Sequence, residues 1–331
     1  VSELLDGKTK YTRGQGSPAL CEAVANHLMK TSNISVSPEN VLITPGAKQA
    51  LLYSYMTVLN PGDEAILLSP SWASYEPMIS IIGGVPVNVP VDRKNFHPDM
   101  DAIRSSITNR TRMIMVNSPC NPTGAVYTRE EIEEIVSIAI EHDLWIISDE
   151  IYSRLIWNGG EHVSPATIEG GKERTIVISG WSKTWAMTGM RVGFLAGPEQ
   201  AVRAAVKCQA NSASHIPTFM MEAARVALDC DDHVERFSDA YRQRRKLMVQ
   251  GLEDIPGLRI VNPEGAFYLF IDVSGTGMSD VQFADGALEA GVQLIPASLI
   301  TGGEGFIRVS YAASEEDIKE GISRLRSWLL Q

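Results

Sequence analysis

Cysteine is scarce: Cys21, Cys120, Cys208 and Cys230 are scattered through 331 positions, without the close spacing of a zinc site or a small disulfide framework. A reducing compartment, the cytoplasm, is the expectation that follows. No apolar run approaches the roughly 20 residues that span a bilayer, and the first residues show no basic stretch followed by an apolar one, so a membrane span is not expected. The six histidines are dispersed with no pair on one helical turn, which gives no metal-ligand pattern. Lysine and arginine number 29 against 40 acidic residues, a formal charge of −11 that argues against a nucleic-acid face. The densest basic cluster, at 242–246, reads as the solvated face of a helix.

What the chain has is 44% hydrophobic and 21% charged residues, enough for one large domain and a smaller one. Short β-rich runs at 41–44, 65–69, 85–89, 112–117, 145–149, 175–179 and 191–196 alternate with amphipathic stretches at 18–30, 48–59, 129–142 and 200–209. Such alternation predicts a layered α/β domain. Thr128 followed by Glu131 is a capping box opening one of the helices. From 232 the texture changes to a long charged helix ending near 252, then Pro256-Gly257, a strand-rich block and a final helix from 314. We expect a large domain at 11–231, a small C-terminal domain at 232–331, and a helical segment at 1–10. Asn158-Gly159-Gly160 reads as a tight turn.

The chemistry concentrates where apolar runs end. Ser182-Lys183 lies among small residues, with Thr188-Gly189-Met190-Arg191 a few positions on. A lysine held in a pocket with depressed basicity can condense with an aldehyde and later shuttle protons, and Arg191 offers a fork suited to a phosphate. Asp149 follows the run 144–148, so its carboxylate emerges at the carboxyl end of a buried strand and needs a cationic partner. A pyridinium nitrogen is such a partner, and the pair keeps the ring electron-withdrawing. Asn121 and Tyr152 can hydrogen-bond a phenolic oxygen beside the aldehyde. Thr44-Pro45-Gly46-Ala47-Lys48 ends a strand and opens a helix, a ready anion site. Trp72 reads as the start of a helix and as a platform for a planar ring or for core packing. Arg308, inside the apolar run 306–311, should meet a carboxylate, either the chain's own or a substrate's.

In this order, residues 11–16, 44–51, 117–124, 148–152, 179–193 and 308–311 resemble the motifs of the fold-type I pyridoxal phosphate aminotransferases, most closely the class I branch that contains the bacterial and archaeal aspartate aminotransferases. The resemblance covers nearly the whole chain. It implies an α/β fold, with a large domain built on a mostly parallel seven-stranded sheet between helices and a smaller α+β C-terminal domain. It further implies that Lys183 carries pyridoxal 5′-phosphate covalently and then moves the proton, and that Asp149 pairs with the ring nitrogen. Asn121 and Tyr152 would bind the phenolic oxygen and Trp72 would stack on the ring. Arg191, Gly46, Ala47 and Ser182 would hold the phosphate, Arg308 the substrate α-carboxylate, and Lys48 a distal carboxylate. Tyr11 would reach the phosphate of a neighbouring subunit, implying a homodimer with shared sites. The implied reaction is a two-half transamination between amino acids and 2-oxo acids, with aspartate or a similar acidic donor; a β-lyase on the same fold and a ligand-sensing aminotransferase-like domain are the alternatives. Four features depart from the pattern: the family's N-terminal arm is not in this sequence, Trp181 is bulky for its place, Gly180 stands where many relatives carry a phosphate-binding serine, and the loop 211–217, which in relatives approaches the partner's active site, is atypical.

Overall fold

Strands β1 (Val41–Thr44), β2 (Glu64–Ser69), β3 (Val85–Pro90), β4 (Thr111–Asn117), β5 (Trp145–Asp149), β6 (Thr175–Gly180) and β7 (Gly193–Ala196) form one sheet in a computed structural model that describes residues 1–157, 159–300 and 302–330. Asn158, part of the expected tight turn, lies outside the described residues. The strand order is β1-β7-β6-β5-β4-β2-β3. Neighbours from β3 through β6 run parallel, and β7 is antiparallel to both β1 and β6. The central strands are apolar on both faces because both are covered. Ile66 and Ile114 enter one core cluster, whereas their neighbours Leu67 and Met115 enter the cluster on the opposite face. That double burial is what near-continuous apolar runs in a parallel sheet demand. The helix Arg129–Glu141 covers one face and opens with the capping box of Thr128 and Glu131, both halves of which are formed.

A second sheet contains β8 (Arg259–Ile260), β9 (Tyr268–Asp272), β10 (Ile295–Pro296) and β11 (Phe306–Ser310), in the antiparallel order β10-β11-β9-β8. It shares a core with the helices Asp231–Leu252 and Glu315–Leu329 and with Tyr152, Leu155 and Trp157, which follow β5. That shared core fixes the small sheet against the strand ends of the large one.

Three local expectations change. The helix expected at Trp72 begins at Tyr75, because the Tyr75 N–H closes a turn on the Trp72 carbonyl at 3.0 Å and delays the first helical turn. Arg191 is not in a strand. It is left-handed (φ 53°) after the 3₁₀ turn Thr188–Met190, and its guanidinium donates to the Thr188 carbonyl at 2.7 Å. Within the basic cluster, Arg245 is half-buried and donates to the Pro263 carbonyl at 2.7 Å, so that part of the helix face is packed rather than solvated.

Trp181 turns into the core. It is fully buried, and its indole N–H donates to the Ala224 carbonyl at 2.8 Å. Ala224 lies in the last turn of the helix Thr218–Ala227, where carbonyls lack an intrahelical partner. The bulky side chain is thus a C-terminal cap for that helix. Trp181→Phe should therefore lower unfolding stability by about 1–3 kcal/mol in a urea titration, through the orphaned carbonyl and the lost volume. An unchanged midpoint would show that the indole N–H does not matter there.

Candidate active site

The parallel strands deliver their last residues to one place, the carboxyl edge of the sheet, where open α/β folds place their ligands. Asn117 ends β4, Asp149 ends β5 opposite it, and β6 runs into the short helix Trp181–Thr184. Asp149, Asn121, Tyr152, Ser182, Lys183 and Arg191 all line one cavity of about 310 Å³. Ala47, Lys48 and Trp72 complete it from the large sheet's side, and Arg308 enters from β11.

Asp149 is buried, and among the described residues it has no ionic partner. Its Oδ2 accepts from the Tyr75 hydroxyl at 2.8 Å and its Oδ1 from the Ile151 N–H at 3.2 Å. Burial pushes its carboxyl up to about 6, against the pull of those two hydrogen bonds. Lys183 moves the other way. Burial, then the positive charges of Arg308 and Arg191, hold its ammonium below the ordinary lysine range, and Asp149 only partly offsets them. Its Nζ lies 5.2 Å from the ring centre of Phe267 and 5.9 Å from that of Tyr152. An amine in this setting is neutral more readily than a surface lysine, as a nucleophile or base must be.

The helix Ala47–Val58 starts at the cavity with Gly46 as its N-cap residue. Gly46 has φ +84°, and a Cβ there would collide with the Arg191 guanidinium, so glycine is what lets the cation lie against the helix start. First-turn N–H groups lacking intrahelical acceptors, the helix dipole and a guanidinium together favour an anion. Gly180 has no room for a side chain either: a Cβ would sit 2.8 Å from the Gly193 Cα. At the opposite wall, Arg308 meets no carboxylate among the described residues, which leaves a ligand's carboxylate as the expected partner. It donates to the Asn121 Oδ1 at 3.1 Å and lies 4.7 Å over the Tyr268 ring, so its charge is left available to a ligand. Lys48 donates to the Ser74 hydroxyl at 3.1 Å and lies 4.8 Å over the Trp72 ring. Tyr11 stands apart, 90% exposed and edge-on to His215 at 5.6 Å, outside this cavity.

Among the lining residues that were not singled out in the sequence, three hold the site's side chains in place. Tyr75 holds Asp149, Asn117 donates to the Asp149 carbonyl at 3.0 Å, and its Oδ1 accepts the Asn121 N–H at 2.9 Å. Tyr268 bonds the Tyr152 hydroxyl at 3.0 Å. Asn117, a polar residue closing an apolar strand, carried the same signal as Asp149. Tyr75 and Tyr268 read as core aromatics.

The family model for class I and II aminotransferases matches residues 4–325. The aspartate/prephenate aminotransferase of Thermus thermophilus is 40% identical over 326 residues, covering 97% of this chain and 83% of that protein. The aspartate aminotransferase of Pyrococcus abyssi is 39% identical over 337 residues, covering 99% and 86%. The crystal structure of an aromatic aminotransferase from Pyrococcus horikoshii superposes with a TM-score of 0.97 at 38% identity, covering 99% of this chain and 90% of that one.

A carboxyl raised by the fold from an ordinary value of 3.8 to about 6 opposes folding once it ionises: its penalty is absent below about pH 4 and develops as the pH rises through about 6. Asp149→Asn should therefore stabilise the ligand-free protein by roughly 1–3 kcal/mol at pH 8 and hardly at all at pH 4, as read by urea unfolding at the two values. A variant destabilised at pH 8 would contradict this origin of the shift.

Proposed function

From its membership of the class I and II aminotransferases, to which the chain belongs, we propose that it moves the amino group of aspartate or another acidic L-amino acid to a 2-oxo acid such as 2-oxoglutarate. Pyridoxal 5′-phosphate is the cofactor of this family. The cavity fits it: at Asp149 a buried carboxylate without an ion-pair partner among the described residues, an amine of lowered basicity at Lys183, and a guanidinium against a helix start at Arg191. The juxtaposition of those three groups in one cavity is the observation that carries the reading.

Asp149 would hold the ring nitrogen in its protonated form, with Tyr75 keeping the carboxylate oriented. Arg191, Gly46, Ala47 and Ser182 would hold the phosphate, Asn121 and Tyr152 the phenolic oxygen, and Trp72 would cover the ring face. When bound, the cofactor supplies the electron sink that acidifies the substrate Cα–H and carries the amine between the two halves. Arg308 would clamp the α-carboxylate bidentately, fixing the Cα–H with respect to Lys183. The neutral Lys183 amine would take the proton from the substrate Cα and pass it to C4′ of the cofactor in one half, and carry it in the reverse direction in the other. Amino acid and oxo acid would use the same clamp in turn, giving ping-pong kinetics. Lys48, at the cavity wall beside Trp72, would bind the distal carboxylate of an acidic substrate. The names of the Thermus and Pyrococcus abyssi relatives support aspartate as donor.

A homodimer is part of this reading: Tyr11, exposed in a crevice with His215 and Phe219 and away from its own chain's cavity, would serve a second copy. No helix among the described residues is long and apolar enough to cross a membrane, and the four cysteines are free, which supports a cytoplasmic location.

Lys183→Ala should fold, bind the cofactor more weakly and lose at least about a thousandfold in turnover, since a general base and the covalent anchor go together. Full transaminase turnover in that variant would remove Lys183 from the mechanism. Lys48→Ala should raise KM for aspartate about tenfold, or about 1.4 kcal/mol, while leaving a neutral amino acid within about twofold. Equal effects on both substrates would dissociate Lys48 from distal carboxylate binding.

A further inference from the structure

Tyr268 touches two of the site's working parts at once. It is the first residue of β9, and the register pairs Arg308 with Phe270, so Tyr268 is the diagonal neighbour of Arg308 on the same sheet face. The Arg308 guanidinium lies 4.7 Å over the Tyr268 ring, a cation–π seat that limits where the charged fork can point. At its other end the Tyr268 hydroxyl meets the Tyr152 hydroxyl at 3.0 Å, with the two rings edge to face at 5.9 Å. Arg308 donates in addition to Asn121, whose backbone N–H is held by Asn117.

Building on the reading above, we propose that Tyr268 is a positioning residue that joins the carboxylate clamp at Arg308 to the hydroxyl of Tyr152. A phenol has one proton to donate. If Tyr152 gives its proton to the phenolic oxygen of the cofactor, its own oxygen must accept from Tyr268. The chain then runs in one direction, from Tyr268 through Tyr152 to the ligand. A substrate carboxylate that moves Arg308 also moves the ring beneath it, and with it the donor that fixes Tyr152. The charged and titratable groups around this chain are Arg308, Lys183 and Asp149, with Tyr241 stacked behind Phe267 at 5.2 Å.

Two variants separate the two contacts. Tyr268→Phe keeps the ring under Arg308 and removes the hydroxyl; Tyr268→Leu removes both. Succinate serves as the carboxylate probe, measured by calorimetry on protein without cofactor, and the pH titration of the bound cofactor's visible absorption reports on Tyr152. Tyr268→Phe should leave succinate affinity within about twofold but shift the absorption titration by about half a unit to one unit, the size of one neutral hydrogen bond. Tyr268→Leu should add a loss of about fivefold or more in succinate affinity, as expected for a partly desolvated cation–π contact. A Tyr268→Phe titration that overlies the wild type would overturn the link to Tyr152. Unchanged succinate binding in Tyr268→Leu would overturn the link to Arg308. A wild-type protein that shows no absorption band with pyridoxal phosphate, yet binds succinate, would instead overturn the assignment of the cofactor site and this inference with it.

Discussion

A carboxylate buried at the end of β5, without an ion-pair partner among the described residues, is the constraint around which the rest of this structure is arranged. Isolated, such a group is costly, and proteins keep one only by pairing it, hydrogen-bonding it or letting it take up a proton. Here two donors, the Tyr75 hydroxyl and the Ile151 N–H, supply part of the compensation, and the carboxyl still titrates near 6. Under the proposed function, the remaining compensation would come from a cation that arrives with a ligand. Lys183 is the complement: an amine pushed toward neutrality by burial and by two guanidinium groups.

The geometry of the sheet turns these separate costs into one site. Parallel strands end together, so Asn117 and Asp149 sit side by side by register, and Lys183 lies three residues beyond the end of β6. The second sheet contributes from the opposite side through a register of its own, which puts Arg308 and Tyr268 on one face. Because Tyr152, Leu155 and Trp157 are packed in that sheet's core, the strand end carrying Asp149 and the strand carrying Arg308 cannot shift independently without opening shared apolar contacts. The Arg308 guanidinium and the Asp149 carboxylate are thereby held to a common frame, as orientation-dependent chemistry requires.

Much of this was legible in the chain because the physics that makes a buried parallel strand is local: apolar runs bounded by polar tips. The run 145–149 coincides with β5, and Thr128 with Glu131 forms the expected capping box. Boundaries failed where a turn competed with a regular element, at Trp72, whose carbonyl closes a turn, and at Arg191, whose left-handed backbone precedes β7. Partners across long separations left no trace. Tyr75 reaches Asp149 across 74 positions and Tyr268 reaches Tyr152 across 116, and each tyrosine is indistinguishable from a core aromatic when only its neighbours are read. Arg308 was legible as a guanidinium in need of a carboxylate, whereas the amide oxygen and aromatic face it meets within the chain were not.

If Asp149 keeps the ring nitrogen of bound pyridoxal phosphate protonated, nitrogen-15 NMR of the protein loaded with ring-labelled cofactor should give, at pH 8, a chemical shift in the pyridinium range that moves to the neutral-pyridine range in Asp149→Asn. A neutral-pyridine shift in the wild-type protein at that pH would contradict that role.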